Sequence, residues 1–204
     1  MAKTKKTKGN GAAQRRAKET KTTSARRSSS ETISAIELLE EDHREVEAHF
    51  DEYEDAEDDA AKRELAAKIC LALRVHTQIE EEIFYPQART ATEDEDLLDE
   101  AIVEHAGAKH LISEIEEMDV GDDLYDAKIR VLGEQTKQHV KEEEEELFPE
   151  VKSAKVDLEA LGEKLATRKA ELMEDLSEEE PAGRTMRVDR AAAGDKPGSE
   201  DKSR

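Results

Sequence analysis

The chain has 204 residues, of which 42% are charged and 3% aromatic, and it contains no tryptophan. Strands favour aromatic and β-branched residues, so this composition argues against a large all-β core and favours helices rich in Glu, Ala, Leu and Lys. No stretch approaches the roughly 18 consecutive apolar residues of a membrane span, and the single cysteine, Cys70, excludes a disulfide framework. We therefore expect a soluble, all-helical, cytoplasmic protein.

The two ends of the chain differ in composition from its middle. Residues 1–30 contain ten Lys or Arg against one acid, Glu19, which gives a local charge of 10 − 1 = +9 in a chain of net charge −21. This segment carries almost no large apolar residue and cannot bury a core, so we predict a disordered basic arm. Such an arm could solubilise the protein or contact nucleic acid or an acidic partner. A second disordered tail is predicted over residues 179–204.

Between these ends, apolar residues recur every three or four positions, which is typical of amphipathic helices. In chain order the stripes run from Ile36 to Tyr53, Leu65 to Ile83, Leu98 to Ile115, Tyr125 to Leu147 and Leu158 to Leu176. Breaks are expected around residues 54–60, after Pro86, at Val120–Asp122 and at Pro149.

Four long helices with short links predict an antiparallel up-down four-helix bundle over residues 31–152. The fifth stripe predicts an additional amphipathic helix over residues 153–178. That helix could cap the bundle or pair with another chain.

Polar residues interrupt the apolar stripes in a regular way. Four of the six histidines lie where aliphatic residues are expected, one on each of the first four helices, and two glutamates each follow a histidine by four residues. The six residues are His43, His76, Glu80, His105, His139 and Glu143. On the second and fourth helices a proline comes ten residues after the histidine. The spacing between corresponding residues is also regular, with 62 positions from His43 to His105 and 63 positions both from His76 to His139 and from Glu80 to Glu143. The chain therefore contains two helical hairpins related by an approximate internal repeat.

Carboxylates on the inner face of a bundle need a positive partner. Four residues turn an α-helix by about 40° past a full circle, so His76 and Glu80 point the same way. One such pair is usually a surface ion pair, but here the pair occurs twice in register. Burying an unpaired carboxylate costs several kcal/mol, and the inner stripes carry no Lys or Arg.

We therefore predict a metal site between the helices. Imidazole and carboxylate without thiolate suit iron, manganese or zinc. Six ligands exceed the needs of one tetrahedral zinc, and carboxylates from opposite helices can bridge two ions, so a dinuclear site is expected. His49, His110 and Cys70 lie beside the stripes and are expected to be peripheral or core residues.

These motifs resemble the hemerythrin-like (HHE cation-binding) domain. The resemblance covers about residues 32–152 and rests on Asp42-His43, on Glu104-His105 and on the doubled pattern His-x3-Glu-Glu with a following Phe and Pro. It implies a four-helix bundle around two non-haem iron ions, with manganese or zinc as second choices. By match to the motifs, Glu80 and Glu143 would bridge the ions, and the terminal ligands would be His43, His76, His105 and His139.

The sequence departs from the oxygen-carrying members in one respect. These have a fifth histidine on the third helix, four residues from another, whereas the corresponding positions here hold Ala101 and Lys109. This departure argues against reversible oxygen carriage and leaves open whether water or another carboxylate completes the site. Asp42, Glu104 and Glu144 are candidates to accept the outer N–H of a ligating imidazole.

The resemblance implies a protein that binds a small ligand such as dioxygen, peroxide or nitric oxide, for carriage, sensing, detoxification or iron handling. An enzymatic activity would be of catalase or peroxidase type, with the metal ions supplying the chemistry. The alternative is an interaction protein with a structural metal, acting through its basic arm or fifth helix. No membrane partner is expected, nucleic acid could bind only through residues 1–30, and the oligomeric state stays open.

Overall fold

Seven α-helices and two π-helical turns make up the part of the chain that the structure, a computed structural model, describes: residues 33–92 and 95–178. The helices are α1 (Ala35–Asp55), α2 (Asp59–Ile79), α3 (Tyr85–Ala91), α4 (Glu95–Glu116), α5 (Tyr125–Glu142), α6 (Phe148–Ser153) and α7 (Leu158–Glu178). The π-helical turn Glu80–Phe84 joins α2 to α3, and the turn Glu143–Leu147 joins α5 to α6. The described residues contain no strand, which confirms the predicted all-α class.

Local side chains fix where the first two helices begin. Ser34 forms a capping box with Glu37 at the start of α1, in which each side chain bonds the other residue's backbone N–H. Asp58 caps α2 by accepting bonds from the N–H groups of Ala60 and Ala61. Only residues 56–58 separate the two helices, so α2 must run back along α1.

Helices α1, α2, α4 and α5 form the four-helix bundle that the sequence predicts. In this ring α1 contacts α2 and α5, and α4 likewise contacts α2 and α5. Two apolar clusters fill the bundle, one towards the π-helical turns and one towards the opposite end. Phe84, Phe148 and Leu98 belong to the first cluster, and Ile69 and Ile112 to the second. The predicted polar residues lie in a layer between the two clusters.

The predicted break at Pro149 is wrong, and the break predicted after Pro86 comes only after Ala91. The chain stays helical past Pro86 as far as Ala91, and past Pro149 as far as Ser153. Proline lacks the N–H that a continuous helix uses. The wider turn ahead of each proline places it near the start of a new helical segment, where that N–H is not required.

The fifth predicted helix, α7, packs against α1 and α2 of its own chain. Leu161, Leu165 and Leu172 are buried in the first apolar cluster. The predicted basic arm (1–30) and the predicted tail (179–204) lie outside the described residues. No helix among the described residues is long and apolar enough to cross a membrane.

The docking of α7 depends on a glycine. A Cβ added to Gly162 would lie 2.1 Å from the carbonyl oxygen of Ile33 and 2.8 Å from the backbone nitrogen of Ala35. Neither backbone atom can rotate away, so a side chain here must push α7 from the start of α1.

We expect Gly162→Ala to lower the free energy of unfolding by about 1–3 kcal/mol, as overpacking does in cores. The matched control is Gly107→Ala on α4, where an added Cβ meets nothing within 4 Å. That change should raise stability by up to about 1 kcal/mol through helix propensity. Denaturant unfolding of both variants without added metal provides the measurement, and equal effects would contradict the described docking of α7.

Candidate metal centre

The six polar residues singled out in the sequence converge on one region inside the bundle. All six are buried, and Glu80 is fully inaccessible to solvent. His43 comes from α1, His76 from α2, His105 from α4 and His139 from α5, while Glu80 and Glu143 are the first residues of the two π-helical turns. Because π-helical turns are frequent at functional sites, their position beside this cluster supports a functional role for it.

A first group of donor atoms comes from His43, His76, Glu80 and Glu143. One atom from each residue lies within 4.8 Å of the others. Nε2 of His43 is 3.2 Å from Nε2 of His76 and 3.3 Å from Oε2 of Glu143. Nε2 of His76 is 3.2 Å from Oε2 of Glu80. These separations suit donors around a single ion.

A second group comes from Glu80, His105 and His139, again with one atom of each within 4.8 Å of the others. Nε2 of His105 lies 3.0 Å from Nε2 of His139 and 3.4 Å from Oε2 of Glu80. Oε2 of Glu143 lies 3.6 Å from Nε2 of His139. Each carboxylate therefore lies between histidines of both hairpins, as two bridging groups would.

The donor set fits a pair of cations. Oε1 of Glu80 and Oε2 of Glu143 are buried and accept no hydrogen bond. An unpaired buried carboxylate oxygen is costly, and a metal ion would satisfy both. Imidazole and carboxylate donors together suit iron, manganese or zinc.

An outer ring of carboxylates surrounds the histidines. The Nδ1-to-carboxylate distances are 2.9 Å for His43–Glu144, 3.7 Å for His76–Asp42, 3.1 Å for His105–Glu81 and 2.8 Å for His139–Glu104. An imidazole that donates its Nδ1–H outward keeps the lone pair of Nε2 for an ion, and the outer carboxylate raises its basicity.

The sequence identified three of these four acids. Asp42, Glu104 and Glu144 lie beside histidines of the cluster, as predicted, but Asp42 and Glu104 face histidines on the next helix rather than their own neighbours in sequence. Glu81 was missed. The internal repeat could have indicated Glu81, because the Glu-Glu pair occurs in both motifs and Glu81 is the counterpart of Glu144.

Two lysines bind this outer ring. Nζ of Lys109 lies 2.6 Å from both carboxylate oxygens of Glu81. Lys169 of α7 bonds Asp42, so the fifth helix contacts the surroundings of the centre. Lys109 occupies one of the two positions where a fifth histidine would stand, and it points to an outer acid instead.

Tyr85 is the second residue that the sequence analysis missed. Its Oη donates to Oε1 of Glu143 at 2.8 Å and lies 3.2 Å from Nε2 of His105 and 3.4 Å from Oε2 of Glu80. The sequence did contain a feature that could have pointed to it, because an aromatic residue precedes the proline in both motifs. This residue is Tyr85 in the first motif and Phe148 in the second.

Burial and mutual charge set the protonation of the centre as long as no cation is bound. Burial raises the pKa of Glu80, and the charge of Glu143 raises it further. Burial also disfavours ionised Glu143, but the positive charge of His139 and the contact with His43 outweigh it and hold the pKa of Glu143 below its usual range. Burial favours neutral His43, yet contact with Glu143 raises the pKa of His43 to about 9. Protons on Glu80 and His43 thus reduce the buried negative charge in the absence of a cation, and metal binding would release them.

The remaining histidines lie apart from the cluster. His110 is exposed on α4, and its nearest acid among the described residues is Glu114 at 4.0 Å. His49 is half-buried beside a cavity of about 280 Å³. That cavity also reaches Asp42 and His76, so a small molecule can come close to the centre from the surface.

Comparisons with known proteins agree with this geometry. The family model described as the hemerythrin HHE cation binding domain matches residues 34–151, a range that contains all six residues of the cluster. The crystal structure of a hemerythrin HHE cation binding domain-containing protein from Mycobacterium kansasii is similar, with a TM-score of 0.62 and 25% identity, over 72% of this chain and 91% of that one. A search of curated proteins gives no significant match. The chain belongs to the hemerythrin HHE cation-binding domain family.

Proposed function

We propose that the protein binds two iron ions in the interior of its bundle and that these ions react with a small ligand such as dioxygen, peroxide or nitric oxide. The observation that carries the proposal is the position of Glu80 and Glu143. Each lies between histidines of both hairpins, and each has a buried oxygen that accepts no hydrogen bond.

In this proposal the two hairpins each supply the terminal ligands of one ion. His43 and His76 hold the first ion, and His105 and His139 hold the second. Glu80 and Glu143 are shared. Iron supplies redox chemistry and a coordination position for the small ligand when it is bound.

The protein's own groups prepare the site for this chemistry. Outer carboxylates hydrogen-bond Nδ1 of His43, His105 and His139 and so hold these three rings with Nε2 facing inward. Phe148 stacks on His43 and Phe84 packs against Phe148, and these two fully buried rings limit the entry of water. The cavity beside His76, with a volume of about 280 Å³, has room for a molecule of two or a few atoms. Carriage, sensing, detoxification and iron handling all begin with such binding, and the cytoplasmic location stays a prediction.

The proposal is tested by metal analysis and absorption spectroscopy of protein purified without oxygen. We expect about two iron ions per chain and, after exposure to air, a near-ultraviolet charge-transfer band that azide shifts. A structural metal in an interaction protein predicts a different result, because a zinc site is colourless and does not respond to azide. Two zinc ions and no response would contradict the proposal.

The shared carboxylates should be needed for both ions. We expect Glu80→Gln and Glu143→Gln each to lose both ions, since each carboxylate lies in reach of histidines from both hairpins. Iron at about 100 times its dissociation constant should stabilise the unchanged protein by about 2.7 kcal/mol and either variant by almost nothing.

Glu146→Gln is the matched control, because Glu146 belongs to the same acidic run but is exposed. It should keep two ions and the full iron-dependent rise in melting temperature. Thermal unfolding with and without iron, together with iron content, gives both readouts. Retention of two ions in Glu143→Gln would exclude Glu143 as a bridging ligand.

The outer carboxylates should tune affinity without supplying a metal bond. Glu104→Ala removes the acceptor 2.8 Å from Nδ1 of His139. We expect it to weaken iron binding about 10–100-fold, the usual effect of losing such a partner. Glu47→Ala, an exposed change on α1, should leave the affinity unchanged. Competition with a coloured chelator measures both, and equal affinities would show that Glu104 does not orient its histidine.

A further inference from the structure

The internal repeat makes the two halves of the centre similar, but the aromatic residue that precedes the proline differs between them. In each half an aromatic ring precedes the proline and stacks on a histidine of the other hairpin. Tyr85 lies 5.4 Å from His105 between ring centroids, and Phe148 lies 5.8 Å from His43. The two aromatic residues therefore differ by one hydroxyl group, which only Tyr85 carries.

That hydroxyl lies among the donor atoms of the second group. Donors about 2.1 Å from one ion are about 3 Å apart when they occupy adjacent octahedral positions. Oη of Tyr85 is 2.8 Å from Glu143, 3.2 Å from His105 and 3.4 Å from Glu80. These separations match the 3.0 Å between Nε2 of His105 and Nε2 of His139. The phenol oxygen is thus spaced as a further ligand would be.

The surroundings of Tyr85 favour the same role. The residue is 2% exposed, and its described hydrogen-bond partners all belong to the six-residue cluster. A buried tyrosine needs a partner for its hydroxyl, and here that hydroxyl points to the metal centre rather than to the backbone or to solvent. On α4, Ala101 and Lys109 supply no donor to this half.

We propose that Tyr85 is a ligand of the ion held by His105 and His139, and that it makes the two metal positions chemically inequivalent. The inference rests on the proposed function, because it requires both ions. The phenol oxygen forms a bond to the ion, and the phenol proton leaves to solvent, as ligand protons do when a metal binds. Tyrosine oxygen is an established ligand of iron in other proteins.

The ferric protein provides the test. A phenolate bound to iron(III) gives a visible charge-transfer band and resonance-enhanced vibrations of the tyrosine ring. The chain has three tyrosines, of which Tyr53 donates to Asp126 and Tyr125 lies in the second apolar cluster. We expect Tyr85→Phe to keep about two iron ions and to lose the band and the ring vibrations. Tyr53→Phe and Tyr125→Phe should keep both.

A second measurement needs no variant at Tyr85. Ring-deuterated tyrosine in the unchanged protein should shift the enhanced vibrations, which assigns them to tyrosine even if Tyr85→Phe does not fold. Two ions per chain without a tyrosine signal would overturn the inference and leave the proposed function intact. Fewer than two ions in the unchanged protein would contradict the proposed function, and with it this role for Tyr85.

Discussion

The structure depends on placing two carboxylates and four imidazoles in an interior that excludes water. Such a layer is unfavourable by itself, because each unpaired carboxylate loses several kcal/mol of hydration. The apolar clusters on either side supply the burial that holds the helices together, so the polar layer need not contribute to folding. This separation allows the layer to be optimised for binding a cation, and stability is commonly lower at sites built for function.

The outer carboxylates do more than orient single rings, because they connect the helices around the bundle. Asp42 and Glu104 reach a histidine on the next helix of their own hairpin, whereas Glu81 and Glu144 reach across to the other hairpin. Each helix of the bundle, together with the π-helical turns that extend α2 and α5, thus supplies one histidine of the cluster and one acid that lies beside a histidine of another helix. A shift of one helix would disturb two histidines, which couples the geometry of the centre to the packing of the whole bundle. Helix α7 joins this network through Lys169 and Asp42.

The sequence predicted the bundle and the convergence of the six residues because both follow from helical periodicity. His76 and Glu80, four positions apart, must share a face whatever their neighbours do. The docking of α7 on α1 and α2 could not be predicted in this way, since a leucine stripe fits either its own bundle or another chain. The sequence also could not predict that Asp42 lies beside His76 rather than His43, because neighbouring residues in the sequence do not show which helix an outward side chain will face.

The π-helical turns explain why Tyr85 was missed and why it lies in the centre. In an uninterrupted α-helix, five residues turn the chain by about 140° beyond a full circle, which would direct Tyr85 away from Glu80. Here the N–H of Tyr85 bonds the carbonyl oxygen of Glu80, five residues earlier, and Phe148 bonds Glu143 in the same way. This wider turn brings the fifth residue back towards the face of the first. The same distortion therefore places one aromatic ring in each half, and the sequence decides which half receives an oxygen atom.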